Sequence, residues 1–475
     1  MKNKTVLALL LIVMAVYANS LFSGFVWDDK ALIIKKQAFF SDPANVIQIL
    51  TSSDAPLGVK NPYYRPLNTL TYMFDHYLWG LHPFWYHLEN FLLHALVVTL
   101  FYFLLVKVFK DGRLAFIATL LFAVYPVNAE AVDLVSARNT LLCAAFSLCS
   151  LLFLFNGGFK RTVLPLFAYF FALLSKEPAV VLPFFLLSLR FTSKDNKLKI
   201  KNNILISFFG VTALYFILRY LVLGTFTSKS GVELSPERLK FIASVYFEHF
   251  RLMIFPFRLN ANYTAKWLSF NWVKASGAVL GILFLLSFSF LKKTPEPVRA
   301  GSQWILWGLL PVSNIINIPS GPVAERYQYT ILSGFVLIIG YFFSWLQKRR
   351  TLAGTVMVSA LALLLCAKTF ERNFVWRNDM SLYSSMVRSD PQNAKAHCNL
   401  GAVYAGQGNL DQAIREFKAA LVCRPSLTEA RLNLGVTYAR EGRLEAAAAE
   451  FQNVLKWDPG NASALEYLNK IRGGL

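Results

Sequence analysis

Charge is scarce in this chain. Only 16% of its 475 residues are charged, while 55% are hydrophobic, 42 of them Phe. Soluble domains carry about a quarter charged residues, so a soluble fold is excluded for most of the length. Cysteine is scarce as well. Cys143, Cys149, Cys366, Cys398 and Cys423 form no CxxC pair, and three lie in apolar runs, which leaves no disulfide framework and no zinc site. HExxH, GxxxxGK, GxGxxG and GxSxG are all missing. Zinc proteolysis, ATP-driven transport and serine hydrolase chemistry therefore have no motif to stand on. His82, His87 and His94 are spaced five and seven apart, which does not align them as metal ligands on one helix face. His94 reads as a hydrogen-bonded core residue.

What the chain does have is apolar sequence in segments. Eleven apolar stretches occur, uncharged except for Glu89 and Arg138, at about residues 5–22, 88–106, 114–127, 134–156, 162–175, 178–189, 202–218, 275–291, 303–318, 328–346 and 351–367. A helix needs about 20 residues to cross about 30 Å of hydrocarbon, so some of the eleven expected spans are short. Lys and Arg cluster on every second connection: Lys2/Lys4, Lys107/Lys110/Arg113, Lys160/Arg161, Arg190/Lys194/Lys197/Lys199/Lys201, Lys292/Lys293/Arg299 and Lys348/Arg349/Arg350. Cationic loops stay cytoplasmic. The net charge of +21 thus reads as topology and not as nucleic-acid binding, with the amino terminus inside. The first segment, ending Ala18-Asn19-Ser20, is either a span or a cleaved signal peptide, and on both readings the residues beyond it face outward. Residues 239–256 contain Glu248, His249 and Arg251 and read as a helix lying in the outer interface.

The last hundred residues repeat. Pro391, Pro425 and Pro459 are 34 apart, and Asn399-Leu400-Gly401, Tyr404, Gly408, Ala413 and Phe417 recur at the same offset as Asn433-Leu434-Gly435, Tyr438, Gly442, Ala447 and Phe451. This period is that of the tetratricopeptide repeat, a helical hairpin that buries its apolar face only against neighbours. The predicted fold is all-α: a polytopic membrane domain over 1–370 and a repeat solenoid over 376–475. The solenoid offers a concave surface to a peptide or partner helix.

Polar residues gather on the outward connections beyond what spacers need. Asp28-Asp29 follow the first apolar segment, and an ionisable group at a membrane surface is a functional candidate. The other outward ends carry Arg65, then Glu130 and Asp133 with Arg138, then Lys176-Glu177, then Glu325-Arg326. A carboxylate for proton abstraction and several cations for an anion suit transfer from a phosphorylated lipid. The alternative is that each cation pairs with its neighbour, Lys176 with Glu177 and Arg326 with Glu325.

FVWDD, YYRPLNTLTYMFD, HLENFLLHALVV, LLFAVYPVNAEAVDLVSARNTLL, LLSKEPAVVLP and PVAERYQYTILSGF, in this order and ahead of the repeats, resemble the transmembrane and tetratricopeptide-repeat O-mannosyltransferases of the GT-C class. The resemblance runs from about residue 20 to the end and is weaker over 190–300. It implies a polyprenyl-phosphate sugar as donor, a protein hydroxyl on the outer face as acceptor, and an essential acid in the first outer loop. It makes Asp28 and Asp29 the acidic motif, Arg65, Arg138, Lys176 and Arg326 the cations facing the donor phosphate, and Glu130, Asp133 and Glu177 further candidates. No metal is expected to be obligatory, although an adjacent carboxylate pair could hold Mg²⁺ or Mn²⁺. The array departs in length, with about two complete repeats; sugar and acceptor stay open, and a short array with ordinary Lys/Arg topology suits a bacterial inner membrane. The rival readings are a membrane-anchored repeat scaffold for an envelope complex and a lipid-sugar flippase or polymer ligase. Reporter fusions after residues 112 and 196 should read cytoplasmic and a fusion after 375 outward; a cytoplasmic signal at 375 would overturn the orientation.

Overall fold

The computed structural model describes residues 2–53, 63–156, 160–195, 200–225, 235–264, 267–318 and 321–473. Lys197, Lys199 and the 54–62 portion of the first outward connection lie outside the described residues. Among the described residues all regular structure is helical. The chain divides into two units, 1–377 and 378–475.

The helices of the first unit are α1 (Lys2–Tyr17), α2 (Asp28–Leu32), α3 (Gln37–Phe40), α4 (Asn45–Thr51), α5 (Pro66–Trp79), α6 (Pro83–Phe109), α7 (Gly112–Ala123), α8 (Ala129–Asp133), α9 (Arg138–Asn156), α10 (Lys160–Ser175), α11 (Leu182–Thr192), α12 (Asn202–Leu223), α13 (Pro236–Ile254), α14 (Trp272–Phe290), α15 (Glu296–Leu309), α16 (Gln328–Arg349) and α17 (Thr351–Asn373). Ten of the eleven apolar stretches are largely helical, but 303–318 is helical only as far as Leu309, and they are not equal in length. Seven helices among the described residues are long and apolar enough to cross a membrane, and α7 with the segment Pro126–Asp133, bent by 52°, is either an eighth, broken span or a re-entrant loop. The stretches over 162–175, 178–189 and 303–318 fall on α10, α11 and α15, of 16, 11 and 14 residues. Pro178, Pro183 and Pro311 lie at or near the ends of these short helices, where a missing N–H and a fixed φ stop or start a turn. Residues 239–256 lie mostly in α13, which buries Glu248 and His249 against the rest of the unit.

Connections that alternate along the sequence meet at two opposite ends. At one end Lys348 pairs with Asp111 at 2.8 Å, and Glu296 accepts from the Ser193 hydroxyl and the Lys194 N–H. At the other, Asp29 meets Ser136, Arg65 meets Glu177, and Arg326 meets Glu130. The basic connections after α6 and α16 thus meet, as do those after α11 and α14, and the candidate site pairs form toward the opposite ends of α11 and α16.

Helices α15 and α16 approach at two glycines. A Cβ on Gly301 would lie 2.6 Å from the Gly334 carbonyl oxygen, and one on Gly334 2.6 Å from that of Gly301. Small residues let helix backbones close in this way inside membranes.

The second unit holds α18 (Asp379–Ser389), α19 (Ala394–Gly406), α20 (Leu410–Cys423), α21 (Thr428–Arg440), α22 (Leu444–Trp457) and α23 (Ala462–Arg472). The 34-residue pattern has a packing cause. Phe417 and Phe451 lie against Gly401 and Gly435, where an added Cβ would come within 2.8 and 2.6 Å of the rings. Gly408 and Gly442 take φ of 80° and 78° in the turns between paired helices, a conformation that strains other residues. His397 contacts the Pro391 carbonyl and the Glu416 carboxylate, and 34 residues on Arg431 bridges Pro425 and Glu450 in the same way.

Gly301→Val should force α15 off α16 and lower stability by about 1–3 kcal/mol, the usual result of overpacking. Thermal unfolding in detergent measures it, and an unchanged midpoint would contradict the close approach.

Candidate functional site

Asp28 and Asp29 are adjacent in sequence and differ in place. Trp27, just before them, holds φ 48° and ψ −116°, an outlier for a bulky residue and costly unless its surroundings enforce it. They do: the indole stacks on Trp376 with ring centroids 6.3 Å apart, and the Arg326 guanidinium sits 6.0 Å over it. This kink turns Asp29 inward, fully buried, where its two oxygens accept from the Ser136 N–H at 2.7 Å and the Val26 N–H at 3.2 Å. Asp28 is half-buried and among the described residues accepts no hydrogen bond. Burial pushes its carboxyl above the ordinary range, further than Arg326 draws it down, and Glu130 adds to the rise. Burial lifts Asp29 to about 7 against the pull of its N–H donors. Asp28 is therefore the carboxylate left open, and Asp29 is a brace between the connection after α1 and the start of α9. Among the described residues no group of three or more His, Cys, Asp or Glu side chains is placed to hold a metal ion.

The cations do not pair with their sequence neighbours. Glu177 instead takes Arg65 at 2.8 Å and Arg219 of α12 at 3.2 Å. Burial would raise its carboxyl, but the two guanidiniums hold it below the usual range. Glu325 takes Arg372 of α17 at 2.8 Å. Arg326 is bound through its guanidinium and its N–H to the fully buried Glu130. Successive residues point in different directions, so partners come from elsewhere in the fold.

Lys176 is the exception. It is 6% exposed, its ammonium donates to the Thr140 hydroxyl at 2.6 Å and faces the Tyr327 ring, and no carboxylate among the described residues lies within 4 Å. Burial and the flanking Arg65 and Arg326 lower it to about 7. Lys176 and Arg326 line one cavity of about 320 Å³ with Thr140, Cys143 and Tyr327. A second cavity, of about 570 Å³ and lined almost wholly by apolar side chains, lies farther along the same helices. Thr140 and Cys143 of α9 give way to Leu148 and Leu151, Pro178 to Phe185 and Leu189 of α11, Gly308 of α15 to Trp304, and Thr330 of α16 to Leu337.

Arg138 stands apart from this cluster, contrary to its expected place beside a donor phosphate. It is completely buried and bonded to Asp75 at 2.6 Å, Glu89 at 3.0 Å, Asn90 and the Tyr86 carbonyl, tying α5 and α6 to α9. Asp133 is also fully buried, and among the described residues its oxygens have no hydrogen-bond partner within normal distance. Thr140, Arg219, Arg372, Asp75 and Glu89 complete these networks without having been singled out in the sequence. Arg219 alone carried a signal, as a cation inside an apolar run.

Comparison with known proteins bears on this arrangement. The tetratricopeptide-repeat family matches residues 381–428 and 407–462. Protein O-mannosyl-transferase TMTC3 of Mus musculus is 26% identical over 474 aligned residues, covering 89% of this chain and 51% of the relative. Protein O-mannosyl-transferase F38B6.6 of Caenorhabditis elegans is 27% identical, covering 86% and 61%. For TMTC1 of Homo sapiens the identity is 28%, with 76% and 48% covered. The chain is similar, over most of its length, to protein O-mannosyl-transferases. It spans about half the length of the TMTC3 relative.

Arg138→Met should strand two carboxylates and destabilise the fold by about 3–5 kcal/mol, as breaking a buried ion pair does. Thermal unfolding and the KM for donor read it together; intact stability with a raised KM would return Arg138 to the phosphate.

Proposed function

We propose that this protein is an integral membrane glycosyltransferase that moves a sugar, mannose or a similar hexose, from a polyprenyl-phosphate donor to a protein hydroxyl on the outer face. The observation that carries the proposal is Lys176, a buried ammonium with no carboxylate within 4 Å among the described residues, flanked by Arg65 and Arg326 in a cavity that has a second, apolar cavity farther along the same helices. Such a track fits one molecule with an anionic head and a hydrocarbon tail. Binding two classes of group in sequence along the same helices distinguishes this reading from a scaffold, which needs no buried cations.

In the proposed reaction Asp28 is the base for the acceptor hydroxyl. Lys176 and Arg326 stabilise the departing phosphate, and Arg65 stands beside them, held by Glu177. Fixed cations in a water-poor site are strong stabilisers of developing negative charge. Inversion at the sugar carbon follows if the hydroxyl attacks opposite the phosphate. Asp29, Glu130 and Glu177 position these groups. The proposal routes no step through a metal. The outward orientation rests on the basic connections, and the TMTC3, F38B6.6 and TMTC1 relatives are animal proteins. The repeats, which come almost directly after the last apolar helix, would present a protein acceptor.

The test is transfer of labelled mannose from polyprenyl-phosphate mannose to a Ser/Thr peptide by the purified protein. Asp28→Asn should cut kcat by about 10²–10⁴ with unfolding unchanged. Asp29→Asn places an amide donor against a backbone donor and should lower both activity and melting temperature. Because Asp28 must be ionised and Lys176 charged, the rate should rise with pH through a raised carboxylate pKa and fall again above about 7. Wild-type turnover in Asp28→Asn would refute the base assignment.

A further inference from the structure

We infer that Lys176 makes the site select a phosphate monoester dianion over a phosphodiester monoanion, so that the spent lipid phosphate binds more tightly than the sugar donor and inhibits until it leaves. This rests on the lipid-phosphate donor proposed for the site and adds to it a charge preference that the reaction itself would set.

In the transfer the bond from the sugar C1 to the phosphate oxygen breaks and its electron pair stays on that oxygen. A new bond forms from C1 to the acceptor oxygen, and the hydroxyl proton passes to Asp28. The phosphate thus goes from one negative charge to two. The cavity holds charge of matching kind in unequal states. Arg326 is committed to Glu130, and Arg65 shares Glu177 with Arg219. Lys176 has a hydroxyl and a ring for neighbours.

The groups facing Lys176 are Arg65 from the start of α5, Thr140 and the Cys143 thiol from α9, Glu177 beside it, and Arg326 with Tyr327 from the start of α16. Two of these are fixed cations and one is a carboxylate already bound to two arginines. The ammonium is therefore stabilised chiefly by an incoming anion, and most by the anion with two charges. Burial and the guanidiniums hold Lys176 near 7 when the site is empty. Arrival of a dianion raises that value and draws a proton onto the nitrogen. Above about pH 7 binding must then take up a proton, and affinity falls as pH rises.

Titration calorimetry on the full-length protein in detergent tests this with farnesyl phosphate and farnesyl methyl phosphate at pH 8, in two buffers of different protonation enthalpy. The monoester, already a dianion at that pH, should bind about ten- to a hundredfold more tightly and take up close to one proton; the diester should take up less. Lys176→Arg, permanently charged, should bind the monoester with no proton uptake, and Lys176→Met should bring the monoester down to the affinity of the diester. Equal wild-type affinities, or monoester binding without proton uptake, would overturn the charge preference while leaving the lipid-phosphate site standing. Binding of neither lipid would overturn that site and the preference together. Inorganic phosphate binding as tightly as farnesyl phosphate would overturn the lipid assignment.

Discussion

An ammonium removed from water, with no carboxylate within 4 Å among the described residues, is the constraint around which the end that gathers the candidate site residues is arranged. A buried charge is tolerated only when paired or when its ionisation is surrendered. Lys176 takes the second course, held near 7 between two guanidiniums. Arg65 and Arg326 remain beside it because each brings its own counter-charge, Glu177 and Glu130. Those carboxylates do their work from other elements: Glu130 from the bent segment after α7, Glu177 from the connection between α10 and α11. The cluster is therefore a product of how the helices are threaded and cannot be assembled by any one of them.

The first outward connection serves the same end. Trp27 is held in a strained backbone conformation by Trp376 and Arg326, and the strain separates two adjacent carboxylates into a braced one and an open one. Asp29 spends both oxygens on backbone N–H groups. Asp28 keeps its own free of hydrogen bonds among the described residues, close enough to Arg326 and Glu130 to feel both. Charge that looks redundant in sequence is divided between a carboxylate that holds the loop and one left open.

Arg138 shows the opposite outcome. It sits at the start of an apolar helix, as Arg326 does, yet Asp75, Glu89, Asn90 and a carbonyl take up most of its donors. A guanidinium has five N–H groups in a fixed fork. Once two carboxylates and two further acceptors fill that fork, little remains for a ligand. The difference between a structural and a ligand-facing cation thus lies in the acceptors that other helices deliver.

The sequence by itself determined the helical segments, the repeat unit with its Gly401–Phe417 crossing, and the sorting of connections to two ends. These arise from local and periodic properties: apolar run length, a 34-residue period, and the placement of Lys and Arg between runs. It also marked the ends at which ionisable residues gather. Which acid meets which cation was decided only by tertiary structure. Neighbours in sequence diverge at a helix start, so Lys176 leaves Glu177 to Arg65 and Arg219, Arg326 leaves Glu325 to Arg372, and each pair is closed by residues from 42 to 196 positions away. The division between Asp28 and Asp29 was likewise invisible, because it turns on one backbone angle at Trp27 that only a ring packed from the far end of α17 can hold in place.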